Sequence, residues 1–145
     1  MEKRYSSHGQ KMDCVFCKIV RKELPAQIVY ENEDCLAFLD TNPVSRGHTL
    51  IIPKRHYELL PHIPEMEFLK YMKTVQKVIQ GLLCYTEGVN VLQNNGIDAG
   101  QLVPHVHVHL IPRRPKDDVR IGEWRTFVDM DIDKVQKTIQ SLLKD

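Results

Sequence analysis

The chain has 145 residues and a mass of 16.9 kDa, enough for one domain with an ordinary core and without need of disulfides. Twenty basic residues meet nineteen acidic ones for a formal net charge of +1, so no bulk charge advertises a nucleic acid or an anionic membrane. Met1 to Lys11 lack the apolar run of a secretory signal and no stretch approaches a membrane span, which makes the cytoplasm the expected compartment.

Residues 1–12 mix charges with Ser, Gly and Gln and read as a flexible tail. Asp13 is placed to cap a short helix over Cys14 to Glu23, with Val15 or Phe16, Ile19 and Val20 on its apolar side and Pro25 at its end. Gln27 to Tyr30 and Cys35 to Leu39 are β-rich runs around a polar turn, the pattern of an antiparallel hairpin. The turn residues Asp40 to Pro43 and Ser45 to Gly47 lead into an apolar strand from His48 to Pro53.

From Pro64 to about Tyr85, the residues Phe68, Leu69, Met72, Val75, Val78, Ile79, Leu82 and Leu83 recur at three- and four-residue steps, predicting a long amphipathic helix. Gly88 to Leu92 reads as a strand, Asn94 to Gly100 as a glycine-punctuated loop and Pro104 to Pro112 as a further strand. A loop from Arg113 to Trp124 and a helix over about Asp131 to Leu143 complete the chain. Strands, one long helix, then more strands predict an α+β fold with a mainly antiparallel sheet, a short N-terminal helix and a C-terminal helix. The expected division is a tail over 1–12, a domain over 13–115 and an extension over 116–145 packed on the same domain.

The strongest chemical signal is the row His105, His107 and His109. Side chains alternate along an extended strand, so the three imidazoles share one face while Val106, Val108 and Leu110 share the other. Such a row has a metal-binding reading and a nucleophile reading, in which one imidazole attacks an electrophilic centre. Cys14 and Cys17 supply the two thiolates of half a tetrahedral zinc site, or a redox pair. Two further ligands would come from among His8, His48, His56, His62, His105, His107 and His109. Cys35 and Cys84 sit in apolar surroundings and read as small core residues.

The run from His105 to Ile111, with Phe38 to Asp40, Gly47 to His56, Asn94, Gly100 and Gln101, resembles the histidine-triad (HIT) family in its Hint-like branch, over roughly Cys14 to Arg113. That resemblance implies the HIT-like fold, and a nucleotide hydrolase or transferase in which His107 attacks the α-phosphorus of a nucleoside phosphoramidate or related conjugate. A covalent nucleotidyl-histidine would then release a nucleoside monophosphate. It implies that His109 contacts phosphate and the leaving group, with His48 behind it. Asp40 would bind ribose, Asn94 and Gln101 the phosphate side, and Phe16, Ile19, Ile28 and Phe38 the base, although plain core packing explains those four equally well. It further implies structural zinc on Cys14, Cys17, His56 and His105, a purine nucleotide ligand and a homodimer.

The competing readings are a dinucleoside polyphosphate hydrolase, a hydrolase using zinc-activated water, and a nucleotide-binding scaffold with little turnover. Leu102 departs from the family pattern, which has Ser or Thr after Gln101. Trp124, in the extension, is read as packing rather than as a pocket wall.

Overall fold

The computed structural model describes residues 9–128 and 131–144. Five strands form one antiparallel sheet in the order β1-β2-β3-β5-β4, with β1 Ile28–Glu31, β2 Cys35–Leu39, β3 Thr49–Pro53, β4 Gly88–Gln93 and β5 Val108–Arg113. Three α-helices accompany it: α1 Val15–Val20, α2 Glu65–Leu82 and α3 Ile132–Leu142. The α+β architecture expected from the order of elements is the one observed. No helix among the described residues is long and apolar enough to cross a membrane.

The central strands are buried on both faces, and their alternation sorts two cores. Cys35, Ala37 and Leu39 of β2, Ile51 of β3 and Val108 and Leu110 of β5 pack with Tyr71, Val75, Val78 and Leu82 of α2 and with Val135 and Ile139 of α3. Leu36, Phe38, Leu50 and Ile52 point the opposite way and pack with Phe16, Cys17 and Ile19 of α1. Full burial of one such aliphatic or aromatic side chain is worth about 1.5–3 kcal/mol, so the paired cores hold the sheet rigid between two layers. The row of histidines lies on the α1 side, and Val106, Val108 and Leu110 lie in the α2 core.

Several boundaries and burials differ from expectation. Cys14 caps α1, its sulfur accepting from the Cys17 amide at 3.5 Å, and Asp13 does not. On α2, Tyr71 and Thr74 are buried, while Leu69 and Leu83 are half exposed at 54% and 51%. Cys84 is exposed rather than core, because it follows the end of α2 at Leu82. All four cysteines are free thiols. Gln10 is buried and its side chain donates to the Lys54 carbonyl, so the chain is already anchored at the second described residue. Residues 1–8, including His8, lie outside the described residues.

The histidine strand begins later than predicted. Its ladder starts at Val108, which pairs with Ile51 of β3 and Gln93 of β4, so only His109 of the row has strand partners, Leu50 and Leu92. His105 and His107 precede the ladder, where the Val106 amide donates to the Tyr57 carbonyl at 2.7 Å. Gly47 makes the turn into β3 at φ +85°, with Tyr85, Ile139 and Pro112 so close that a side chain would crowd them.

Candidate functional site

Two clusters share the histidine row. The first is built from both ends of the domain: Cys14 and Cys17 from α1, His56 from the loop after β3, and His105. The Cys14 sulfur lies 3.4 Å from His105 Nδ1, and the Cys17 sulfur 3.5 Å from both His56 Nδ1 and His105 Nδ1. His56 Nδ1 and His105 Nδ1 are 3.2 Å apart, and all four donor atoms lie within 4.8 Å of one another. With Zn–S and Zn–N bonds near 2.3 and 2.0 Å, the edges of a ligand tetrahedron are about 3.3–3.8 Å, so the spacing fits a tetrahedral ion.

Protonation agrees with the spacing. His105 Nε2 lies 2.9 Å from the Pro53 carbonyl, which can only accept, so the proton is on Nε2 and the lone pair on Nδ1 faces the cluster. The two thiols share their protons unequally. Cys17 donates to the Cys14 sulfur and holds its pKa well below the ordinary thiol value, while the adjacent Cys14 thiolate, with burial, pushes Cys17 up. A dication among these donors would supply the positive charge that lets Cys17 ionise as well as Cys14.

The second cluster carries His107, His109, His48 and Asp40. His107 Nδ1 donates to the His105 carbonyl at 2.8 Å, which leaves the lone pair on Nε2. Phe16 stands edge-on to His107 at 5.2 Å between centroids and to His105 at 5.8 Å, and also packs on Phe38 at 5.5 Å. Burial lowers the pKa of His107 and takes both His48 and His109 down to about 4, with the neighbouring imidazoles adding to the effect. At neutral pH all three rings are therefore uncharged.

His48 Nε2 lies 3.0 Å from His109 Nδ1 and 3.5 Å from an Asp40 carboxylate oxygen. Asp40, His48 and His109 thus make a second group of close potential ligands, with donor atoms within 4.8 Å of one another. The Val44 amide donates to His48 Nδ1 at 3.1 Å, so the neutral ring keeps its proton on Nε2 and has no lone pair there for a metal. Asp40 also caps its own turn through the Asn42 amide at 2.8 Å.

Of the other expected site residues, Phe16, Ile19 and Phe38 are buried members of the α1-side core, with Ile28 packed at its margin. Gln101 is buried and bonded at both ends, accepting from the Gly96 amide at 2.7 Å and donating to the Glu58 carbonyl at 2.8 Å. It latches the loop that carries Asn94, whose side chain lies against Gly100. Leu102 is 85% exposed. His62 accepts the Leu59 amide in a short 3-10 turn and stands apart from both clusters.

Sequence reasoning missed the contact made by Trp124. Its ring centroid lies 5.1 Å from that of His109 and 5.3 Å from that of His48. Neither periodicity nor spacing connects a residue in that loop to the row. The backbone partners Val44, Pro53 and His105 were equally invisible, because any residue type supplies an amide or a carbonyl.

The HIT domain model matches residues 21–116. An uncharacterized HIT-like protein of Methanocaldococcus jannaschii is 45% identical over 130 residues, covering 88% of this chain and 98% of that protein. An adenosine 5'-monophosphoramidase of Saccharomyces cerevisiae is 40% identical over 130 residues, covering 90% of this chain and 80% of its own length. Among solved structures, a Zn-bound histidine triad family protein from Mycobacterium smegmatis superposes with a TM-score of 0.80 at 36% identity, covering 91% of this chain and 94% of that one.

Proposed function

The chain belongs to the HIT family, and on that footing we propose that it is a nucleotide hydrolase acting on nucleoside phosphoramidates or related nucleotide conjugates through a nucleotidyl-histidine. One observation carries the reading: the His107 ring is fixed by the His105 carbonyl at 2.8 Å with its Nε2 lone pair available, and burial keeps it neutral. A neutral, oriented imidazole is a nucleophile without a separate base.

In the proposed reaction His107 Nε2 bonds to the α-phosphorus as the bond to the leaving group breaks. The departing atom takes the electron pair together with a proton delivered from His109 Nε2. Water then adds to phosphorus and returns a proton to His109 Nε2, the P–N bond breaks with its electron pair going back to His107 Nε2, and the nucleoside monophosphate leaves. Asp40 is assigned to the ribose hydroxyls, Asn94 to the phosphate side with Gln101 holding its loop, and Phe16, Ile19, Ile28 and Phe38 to the base. The phosphoramidase name of the yeast relative supports this substrate class over dinucleoside polyphosphates.

Cys14, Cys17, His56 and His105 are assigned to zinc, in a structural role. Bound there, zinc supplies cross-linking of α1, the loop after β3 and the histidine row. Four such donors would fill the four positions zinc prefers and leave none for water, which favours this role over zinc-activated hydrolysis. We assign residues 13–115 to the domain and 116–145 to an extension. A homodimer is also proposed, since β4 is an edge strand with Val91 55% exposed, and an unpaired edge is a template for a second chain.

The test is mass spectrometry of protein quenched during turnover of an adenosine phosphoramidate. A nucleotide mass on the His107 peptide, absent in His107→Ala, is the expected result. Tight nucleotide binding with neither adduct nor turnover would replace the enzyme by a nucleotide-binding scaffold.

A further inference from the structure

The proton position of His109 is set from outside the row, through His48, by a backbone amide. The Val44 amide can only donate, so its 3.1 Å bond to His48 Nδ1 places the His48 proton on Nε2. That nitrogen faces His109 Nδ1 at 3.0 Å, and a bond between two neutral imidazoles needs one proton. His48 provides it, so His109 Nδ1 accepts and the His109 proton is on Nε2. The order runs in one direction from a backbone amide to the nitrogen nearest the chemistry.

A hydrogen bond between two neutral rings is easily reversed: if both rings shift their protons, or one turns over, the order is lost. Trp124 stands where it opposes this. Its indole packs against both rings, tilted 68° to His109 and 57° to His48. Its Nε1 donates to the Asn42 carbonyl at 3.3 Å, the Thr126 hydroxyl bonds to the Asn42 side chain, and the Phe127 amide donates to the Pro43 carbonyl at 2.5 Å. Asn42 and Pro43 immediately precede Val44. The strap that carries the indole is therefore tied to the turn that carries the orienting amide, and it lies beyond residues 21–116 matched by the family domain.

We propose that Trp124 is a positioning residue: with the Val44 amide it holds His48 and His109 in one tautomeric order that presents the His109 Nε2–H to the departing group. The proposal rests on the reaction assigned above for its catalytic consequence, but not for the tautomers themselves. The burial of both histidines, which keeps them neutral near pH 7, is what gives the tautomers meaning.

The experiment uses the full-length, zinc-loaded chain labelled with 15N-histidine, and reads ring tautomers from long-range proton–nitrogen correlations at pH 7. Both His48 and His109 are expected with a protonated Nε2 and a bare Nδ1. In Trp124→Ala the His109 nitrogens move toward the average of two tautomers, and in Trp124→Phe they stay near the wild-type values. Kinetically, kcat for an adenosine phosphoramidate with an alkylamine leaving group falls roughly tenfold in Trp124→Ala relative to kcat for the p-nitrophenyl ester of AMP, whose leaving group needs little help from a donor. Trp124→Phe restores most of that ratio.

A protonated Nδ1 on His48 in the wild type, which needs no variant to observe, overturns the proposal. So do unshifted nitrogens in Trp124→Ala, and so does an equal loss for both leaving groups, the mark of a merely structural residue. Wild-type protein with the expected tautomers but no turnover of either substrate refutes the reaction and leaves the tautomeric order standing.

Discussion

His105 Nε2 and the Pro53 carbonyl lie 2.9 Å apart, and this one bond turns the opposite nitrogen of the ring toward Cys14, Cys17 and His56. A carbonyl of β3 thereby decides which atom of His105 can serve a metal. Purified protein is expected to hold one zinc per chain. Cys17→Ser should abolish it and lower stability by at least about 3 kcal/mol, roughly 10 °C in the unfolding midpoint for a chain of this size. Metal content and thermal unfolding of the variant measure both effects, and chelation should reproduce the shift in the wild type.

Asp40 has two tasks that separate on substitution. One oxygen accepts the Asn42 amide, and the other faces His48 across 3.5 Å. Asp40→Asn keeps an oxygen for the turn but loses the charge that the proposed function assigns to two ribose hydroxyls. KM for nucleotide substrates is expected to rise about tenfold with kcat within a few-fold. Asp40→Ala should add a loss of about 1 kcal/mol in stability from the vacated turn. Steady-state kinetics beside denaturant titration of the two variants checks the division.

Gln101 bridges the Gly96 amide and the Glu58 carbonyl from a buried position. Gln101→Ala strands both backbone groups, and a cost of about 1–3 kcal/mol is expected. Because the latch carries the loop with Asn94, hydrogen exchange at the 94–100 amides should accelerate while β2 and β3 remain protected. Unchanged exchange across that loop would contradict the latch.

Acid should weaken the fold before it disrupts carboxylates. Burial takes His48 and His109 from an ordinary value of 6.5 down to about 4. Above pH 6.5 both rings are neutral in the folded and unfolded chain alike. Between 6.5 and about 4 the unfolded chain binds protons that the folded one refuses, so stability falls with pH, by at most about 3 kcal/mol per histidine, and levels off below 4. Denaturant midpoints across that range should show the decline, and in His48→Gln its share should disappear.

The parts of this fold legible in the sequence were those written in side-chain periodicity. Alternation separated His107 from Val106, and three- and four-residue steps located α2. The phase of α2 was less visible, because Tyr71 and Thr74 occupy buried positions that a scan for aliphatic residues passes over, and Leu69 and Leu83 flank them outside. Cys84 looked internal beside Leu82 and Leu83, but the helix stops and turns it outward. The resemblance placed Cys14, Cys17, His56 and His105 together. The orientation of each ring was beyond reach, since it depends on main-chain groups of Pro53, Val44 and His105.

The late start of β5 has a chemical meaning. A carbonyl that faces a paired strand is committed to it, whereas that of His105 lies three residues before Val108, the first residue paired. It is thereby spared to receive the proton of His107. Had β3 and β4 been long enough to zip the strand from Pro104, as its residue pattern invites, the sheet would have gained hydrogen bonds and taken the anchor of the His107 ring in exchange. The enzyme's reactivity is in this sense a matter of where pairing stops.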